Sequence, residues 1–158
     1  MLGLSDLTQP ITYFGTTTLH TLGALLYDSE SAKVYRYVKC AAAVTNNALA
    51  AGECLCADTG GAYYVNNDMA GGTGLGTLPM GVAISAIPEN NYGWIQVGGQ
   101  ASVTITDGEV AANDFIVNNT GEDGGCDTMA DGEEEQVFGF VIAADVGDAV
   151  TVQLRGLF

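Results

Sequence analysis

MGVAISAIPENNYGWIQVGGQASVTITDGEVAANDFIV, residues 80–117, carries the strongest structural signal in this 158-residue chain. Turn signals at Pro88-Glu89-Asn90-Asn91, Gly98-Gly99 and Thr106-Asp107-Gly108 separate short runs rich in Val, Ile and aromatic residues, the signature of a β-meander. Ala101, Val103 and Ile105 alternate with Ser102, Thr104 and Thr106, so one face of that strand is predicted to be buried and the other wet. Tyr92-Gly93-Trp94-Ile95-Gln96-Val97 precedes it and holds the single Trp, which places Trp94 in the predicted core.

Strand patterns extend outward from this segment. Residues 136–144 (QVFGFVIAA) are apolar on both faces, as in a central strand or in one whose second face is covered by another subunit. Val150, Val152 and Leu154 alternate with Thr151, Gln153 and Arg155. Upstream, residues 20–28 and 34–40 flank the polar connection 29–33 and read as a hairpin. Three of the four basic residues, Lys33, Arg36 and Lys39, fall there, a positive island able to pair with acidic groups of a partner or of the chain itself. Residues 41–51 fit neither periodic template, and residues 52–57 resume as a strand. Residues 58–79 read as a long Gly-rich connection around one apolar piece, residues 62–65. Its Gly72-Thr73-Gly74-Leu75-Gly76 has no following Lys, and Pro79 stands where a helix should continue, so it is not a nucleotide-binding loop. An internal echo links Tyr35-x-Tyr37-Val38 and residues 49–55 to Tyr92-x-Trp94-Ile95 and residues 110–116, which suits a barrel or sandwich built from similar halves.

Composition agrees with an all-β fold, a compact β-barrel or β-sandwich. Gly is frequent at 22 and Pro scarce at 3, a balance for short strands and tight turns. A chain of this length fits one domain with a sizeable core. With 19 acidic residues against 4 basic ones the net charge is −15, which repels phosphate backbones and anionic headgroups and argues against nucleic acid and membrane as partners. No Lys or Arg precedes Lys33 and no apolar run has spanning length, so synthesis in the cytoplasm is expected.

The chemistry of catalysis is not visible. His20 is the single His and no G-x-S-x-G, H-E-x-x-H or P-loop occurs, so no enzyme is expected. Cys40, Cys54, Cys56 and Cys126 are read as free thiols, since Cys54 and Cys56 share one face of a strand and are poorly placed to bond each other. Their spacing does not suit zinc, and the acidic run 121–135 lacks the ligand spacing of an EF-hand, so no metal or other cofactor is expected and that run is read as a solvated loop.

Residues 1–18 (MLGLSDLTQPITYFGTTT) carry Leu2, Leu4, Leu7, Ile11, Tyr13 and Phe14 without a clean period, and Pro10 interrupts any helix. They read as an extended arm ahead of a β domain at 19–158, lying either along its own domain as an edge strand or on a neighbouring subunit. The chain closes on Gly156-Leu157-Phe158, an apolar end expected to be docked.

Leu22-Gly23-Ala24, an Asp-containing turn leading to Tyr35-Arg36-Tyr37-Val38-Lys39, Met80-Gly81-Val82-Ala83, Tyr92-Gly93-Trp94-Ile95-Gln96-Val97-Gly98-Gly99 and Val137-Phe138-Gly139-Phe140 resemble, in their order, the capsid decoration (cement) proteins of tailed bacteriophages. The resemblance covers residues 11–154. It implies a compact β domain assembled as homotrimers on the outer capsid surface of the virion, bridging subunits of the major capsid protein and stabilising the shell. Leu2, Leu4, Leu7, Ile11, Tyr13, Phe14, Leu157 and Phe158 are then the expected capsid or subunit contacts, with Tyr35, Tyr37, Tyr92 and Trp94 mainly in the core. A carbohydrate-binding β module of a virion fibre is the alternative, using Tyr63, Tyr64 or Trp94 as a stacking platform.

Overall fold

A computed structural model of the chain describes residues 2–3, 7, 9–42, 44–69, 74–106, 110–119, 121–132, 136–143 and 149–156. Among them there is no α-helix, and Thr45–Asn47 form a 3-10 turn. The strands are β1 (Leu2–Gly3), β2 (Leu25–Asp28), β3 (Lys33–Cys40), β4 (Ala48–Leu49), β5 (Cys54–Asp58), β6 (Tyr64–Asn66), β7 (Gly74–Ala83), β8 (Ile87–Pro88), β9 (Tyr92–Thr104), β10 (Phe115–Asn118), β11 (Cys126–Thr128), β12 (Gly139–Ala143) and β13 (Ala149–Arg155).

The order β3-β6-β5-β7-β9 closes on itself because β9 also pairs with β3, which gives a five-strand barrel. Beyond the barrel, β9 continues into the order β13-β12-β10-β11, and a parallel bridge between Ile105 and Cys126 ties β11 back to the end of β9. The echo between the sequences around Tyr35 and Tyr92 has a structural counterpart: the two segments lie side by side, antiparallel, with Tyr37 opposite Trp94 and Lys39 opposite Tyr92.

Alternation explains how one strand serves two cores. Ile95 and Val97 of β9 face the barrel interior with Val38, Cys40, Leu49, Leu55, Val65, Ala83 and Ile87. Four residues beyond Val97 on the same face, Ala101 begins a run with Val103 and Ile105 that joins a second core with Ile116, Phe138, Val141, Val150, Val152 and Leu154. The wall shared by the cores is β5 and β7. Leu55 and Ala83 point into the barrel, while Cys54, Cys56 and Val82 point out of it into the second core.

Trp94 is 3 % exposed, but it packs outside the barrel. Being even-numbered on β9, it lies on the face opposite Ile95, in a third cluster with Leu26, Tyr35 and Tyr37. Leu2, Leu7, Ile11, Leu22, Ala24, Ile84 and Tyr92 pack against that cluster.

Three sequence readings change. Gly98-Gly99 is not a turn: β9 runs through it, and there its pairing passes from β3 to β13. Gly99 has φ +82, and a Cβ on it would stand 2.6 Å from the Ala32 carbonyl oxygen, so the residue serves close approach of the β2–β3 turn. Residues 58–79 are not one connection, because β6 and the first part of β7 lie in it. Pro79 is tolerated in β7 because the β5–β7 register shifts beside it, from Leu55 opposite Gly81 to Cys56 opposite Pro79 and Ala57 opposite Leu75. The acidic run 121–135 is not wholly wet either. Gly124, Gly125 and Cys126 are buried, and β11 pairs there with β10.

Candidate functional site

Three surfaces gather chemistry, and each follows from strand geometry. The first is the outer face of β10 and β12. Phe115 stands directly opposite Phe140, and they are 51 % and 37 % exposed, with Ile142 two residues on at 39 %. This accounts for the doubly apolar pattern of residues 136–144: Val141 points into the second core, while Phe140 and Ile142 point out. Asp114, beside this stripe, uses its carboxylate internally, accepting the Ala111 N–H at 2.8 Å.

The second surface is the aromatic layer over β3 and β9. The His20 ring lies 5.1 Å from that of Tyr37 at a steep angle and 5.2 Å from that of Trp94, and Tyr37 is stacked on Tyr92 at 6.3 Å. Tyr37 Oη accepts the Leu19 N–H at 3.1 Å, which pins the chain that carries His20 onto this layer. Beside it lies a depression of about 450 Å³ lined by Thr18, Leu19, His20, Thr21, Leu22 and Tyr92, with no carboxylate or thiol in the lining.

The third surface is the seam where Lys39-Cys40 of β3 runs parallel to Tyr64-Val65 of β6. The Lys39 ammonium donates to Tyr64 Oη at 3.3 Å and lies over the rings of Tyr64 and Tyr92, 4.8 and 5.6 Å from their centroids. The Arg36 guanidinium lies 5.5 Å from the Tyr63 centroid. Tyr63 has φ 61, a costly conformation for a bulky residue. Its ring rests on Gly23, where a Cβ would come within 2.4 Å of ring carbon, so only glycine leaves room for it.

The expected contact residues divide. Leu2, Leu7 and Ile11 lie against the chain's own aromatic cluster, and Leu2-Gly3 pairs in parallel with Leu26-Tyr27 as an edge strand. Tyr13 and Phe14 are exposed. Leu4, Leu157 and Phe158 fall outside the described residues. Trp94 is too buried to serve as a stacking platform, whereas Tyr63 is exposed. Sequence reasoning missed Phe115 as a surface residue; its signal was Asn113-Asp114, a turn that sets Phe115 at the start of a strand.

All four cysteines are free and buried. Burial pushes the Cys40 thiol up to about 12, and burial, with the neighbouring Cys126 second, raises that of Cys54. Glu53 is half-buried, and burial raises its carboxyl above the ordinary range against the Ala50 N–H at 2.7 Å and the Asn67 amide at 3.0 Å, which favour its charged form. Among the described residues no three His, Cys, Asp or Glu side chains converge as metal ligands would, and no helix is long and apolar enough to cross a membrane.

The fold defines an all-β protein built on a closed five-strand barrel whose strand β9 carries the sheet onward into β13, β12, β10 and β11. No protein-family model matches the chain, and no curated protein matches it in sequence. Among solved structures, it is similar to the N base of head fibre gp8.5 in bacteriophage phi29, with a TM-score of 0.51 at 16 % identity. The likeness spans 78 % of this chain and 94 % of that one, and at this identity it establishes the shared fold.

Proposed function

We propose that this chain is a structural protein of a tailed-phage virion, bound to the outer capsid surface as trimers that bridge major capsid protein subunits and stabilise the shell. The observation that carries the reading is the fold shared with the N base of a phage head fibre, met independently by the order of strand and glycine motifs that resembles capsid decoration proteins. The exposed stripe Phe115, Phe140 and Ile142 and the exposed Tyr13 and Phe14 support it, since apolar surface of this kind suits a subunit that buries area against partners. Many small interfaces made at once give high avidity without a single strong contact. No enzymatic activity, cofactor, nucleic acid or membrane enters this role.

The test is co-sedimentation of purified protein with empty expanded capsids, followed by imaging of decorated shells and thermal rupture assays. Saturable binding at three-fold or quasi-three-fold positions with a raised rupture temperature is the expected outcome. Protein that stays in the supernatant at micromolar concentration refutes it. A carbohydrate-binding fibre module is the second reading, favoured by the exposed Tyr63, whose ring is held in place against Gly23. Retention on a glycan array by protein that ignores shells selects that reading.

A further inference from the structure

Arg36 and Lys39 are two of only four cations in a chain with nineteen carboxylates, yet among the described residues neither meets a carboxylate. Their neighbours are tyrosine rings, and Arg36 Nε is buried without an acceptor. Asp58, one strand away from the seam on β5, has both oxygens engaged by neutral donors, the Gly60 N–H at 2.7 Å and the Asn66 amide at 3.0 Å. A cation over a tyrosine face keeps its charge, and Lys39 keeps donors beyond the one given to Tyr64. The tyrosines therefore fix the position of both cations and leave their charge for an outside group.

We propose that this β3–β6 seam receives carboxylates from a second copy of the chain. The inference rests on the oligomeric part of the function proposed above. The complement of the seam must be acidic, and the chain's own surface is acidic, at net charge −15. Residues 121–135 hold seven of the nineteen acids, and Glu122, Asp123 and Asp131 are exposed there. The seam is formed by β3 and β6, whereas Glu122 and Asp131 flank β11, so they are two different patches, even though Gly124 in between meets the barrel at Cys54 and Asn67. A contact between two different patches is heterologous, and when the rotation closes it builds a ring such as a trimer. Copies carrying −15 each repel one another, so approach is productive only where cations face acids.

Charge reversal on the full chain tests it by sedimentation velocity at low and high salt. Wild-type protein is expected to assemble, with association weakening about tenfold or more between 50 and 500 mM NaCl as screening shortens. Lys39→Glu alone and Glu122→Lys with Asp131→Lys are each expected to weaken assembly by a similar factor, and all three changes in one chain to restore it. Circular dichroism melts verify that each variant folds. Reversals that assemble like wild type, a triple variant that is not restored, or wild-type protein that is monomeric at every concentration each overturn the seam. Shell binding by wild-type protein is scored separately, so loss of the seam and loss of the virion role are distinguishable.

Discussion

Glu53 shows at residue scale how burial and hydrogen bonding oppose each other. Its folded pKa is raised, so the protonated form is the one that folding favours. The associated stability is complete below the ordinary carboxyl value and is lost as pH rises through the raised one. Glu53→Gln, which cannot ionise, is therefore expected to gain stability relative to wild type as pH climbs from 4 to 7, read from urea denaturation at each pH. An offset that does not change with pH contradicts the assignment. The thiols are governed by the same burial. Because all four are buried and that of Cys40 is held at about 12, an aromatic disulfide reagent at pH 8 is expected to find no reactive thiol in native protein and four in denaturant. At the centre of the second core, Phe138 is 1 % exposed, and Phe138→Ala is expected to cost about 3–5 kcal/mol in chemical unfolding.

At the scale of elements, the N-terminal segment has a readout in Trp94. Leu2, Leu7 and Ile11 pack on the cluster that contains this Trp. Removing residues 1–18 is expected to shift its emission to longer wavelength and open it to iodide, while intact protein stays protected at every dilution. Protection lost on dilution of intact protein would place the covering segment on another copy. Much of the strand plan was legible. The hairpin of β2 and β3, the alternation of Ala101, Val103 and Ile105, and that of Val150, Val152 and Leu154 were all visible because one face is buried and the other is not. What was not legible depends on tertiary pairing. Gly98-Gly99 has turn chemistry, but the neighbouring turn at Ala32 and the change of partner strand demand glycine inside a strand. Gly74 to Pro79 has loop composition, and only the shifted register against β5 makes it a strand. The cation–tyrosine seam was visible only as an island of charge, since Tyr63-Tyr64 lies about twenty-five residues downstream and meets β3 through a parallel pairing that local pattern does not encode.

For the whole molecule, the exposed stripe on β10 and β12 separates stability from function. Phe115, Phe140 and Ile142 point away from both cores, so replacing all three with Thr is expected to change unfolding free energy by about 1 kcal/mol or less. The same variant is expected to lose binding to capsid shells; unimpaired binding would remove the stripe from the capsid contact. The shared strand β9 has a mechanical consequence. It is bonded to β3 and β7 at one end and to β13 at the other. A pull that separates the barrel from the strands β13-β12-β10-β11 therefore runs lengthwise along β9, where ladder bonds are strained together in shear instead of opening one after another like a zip. It must at the same time break the bonds of Gly124 to Cys54 and Asn67 and the core packed between β5, β7 and those strands. Such a part yields abruptly at high load, as a rivet does, and transmits tension with little stretch until it fails.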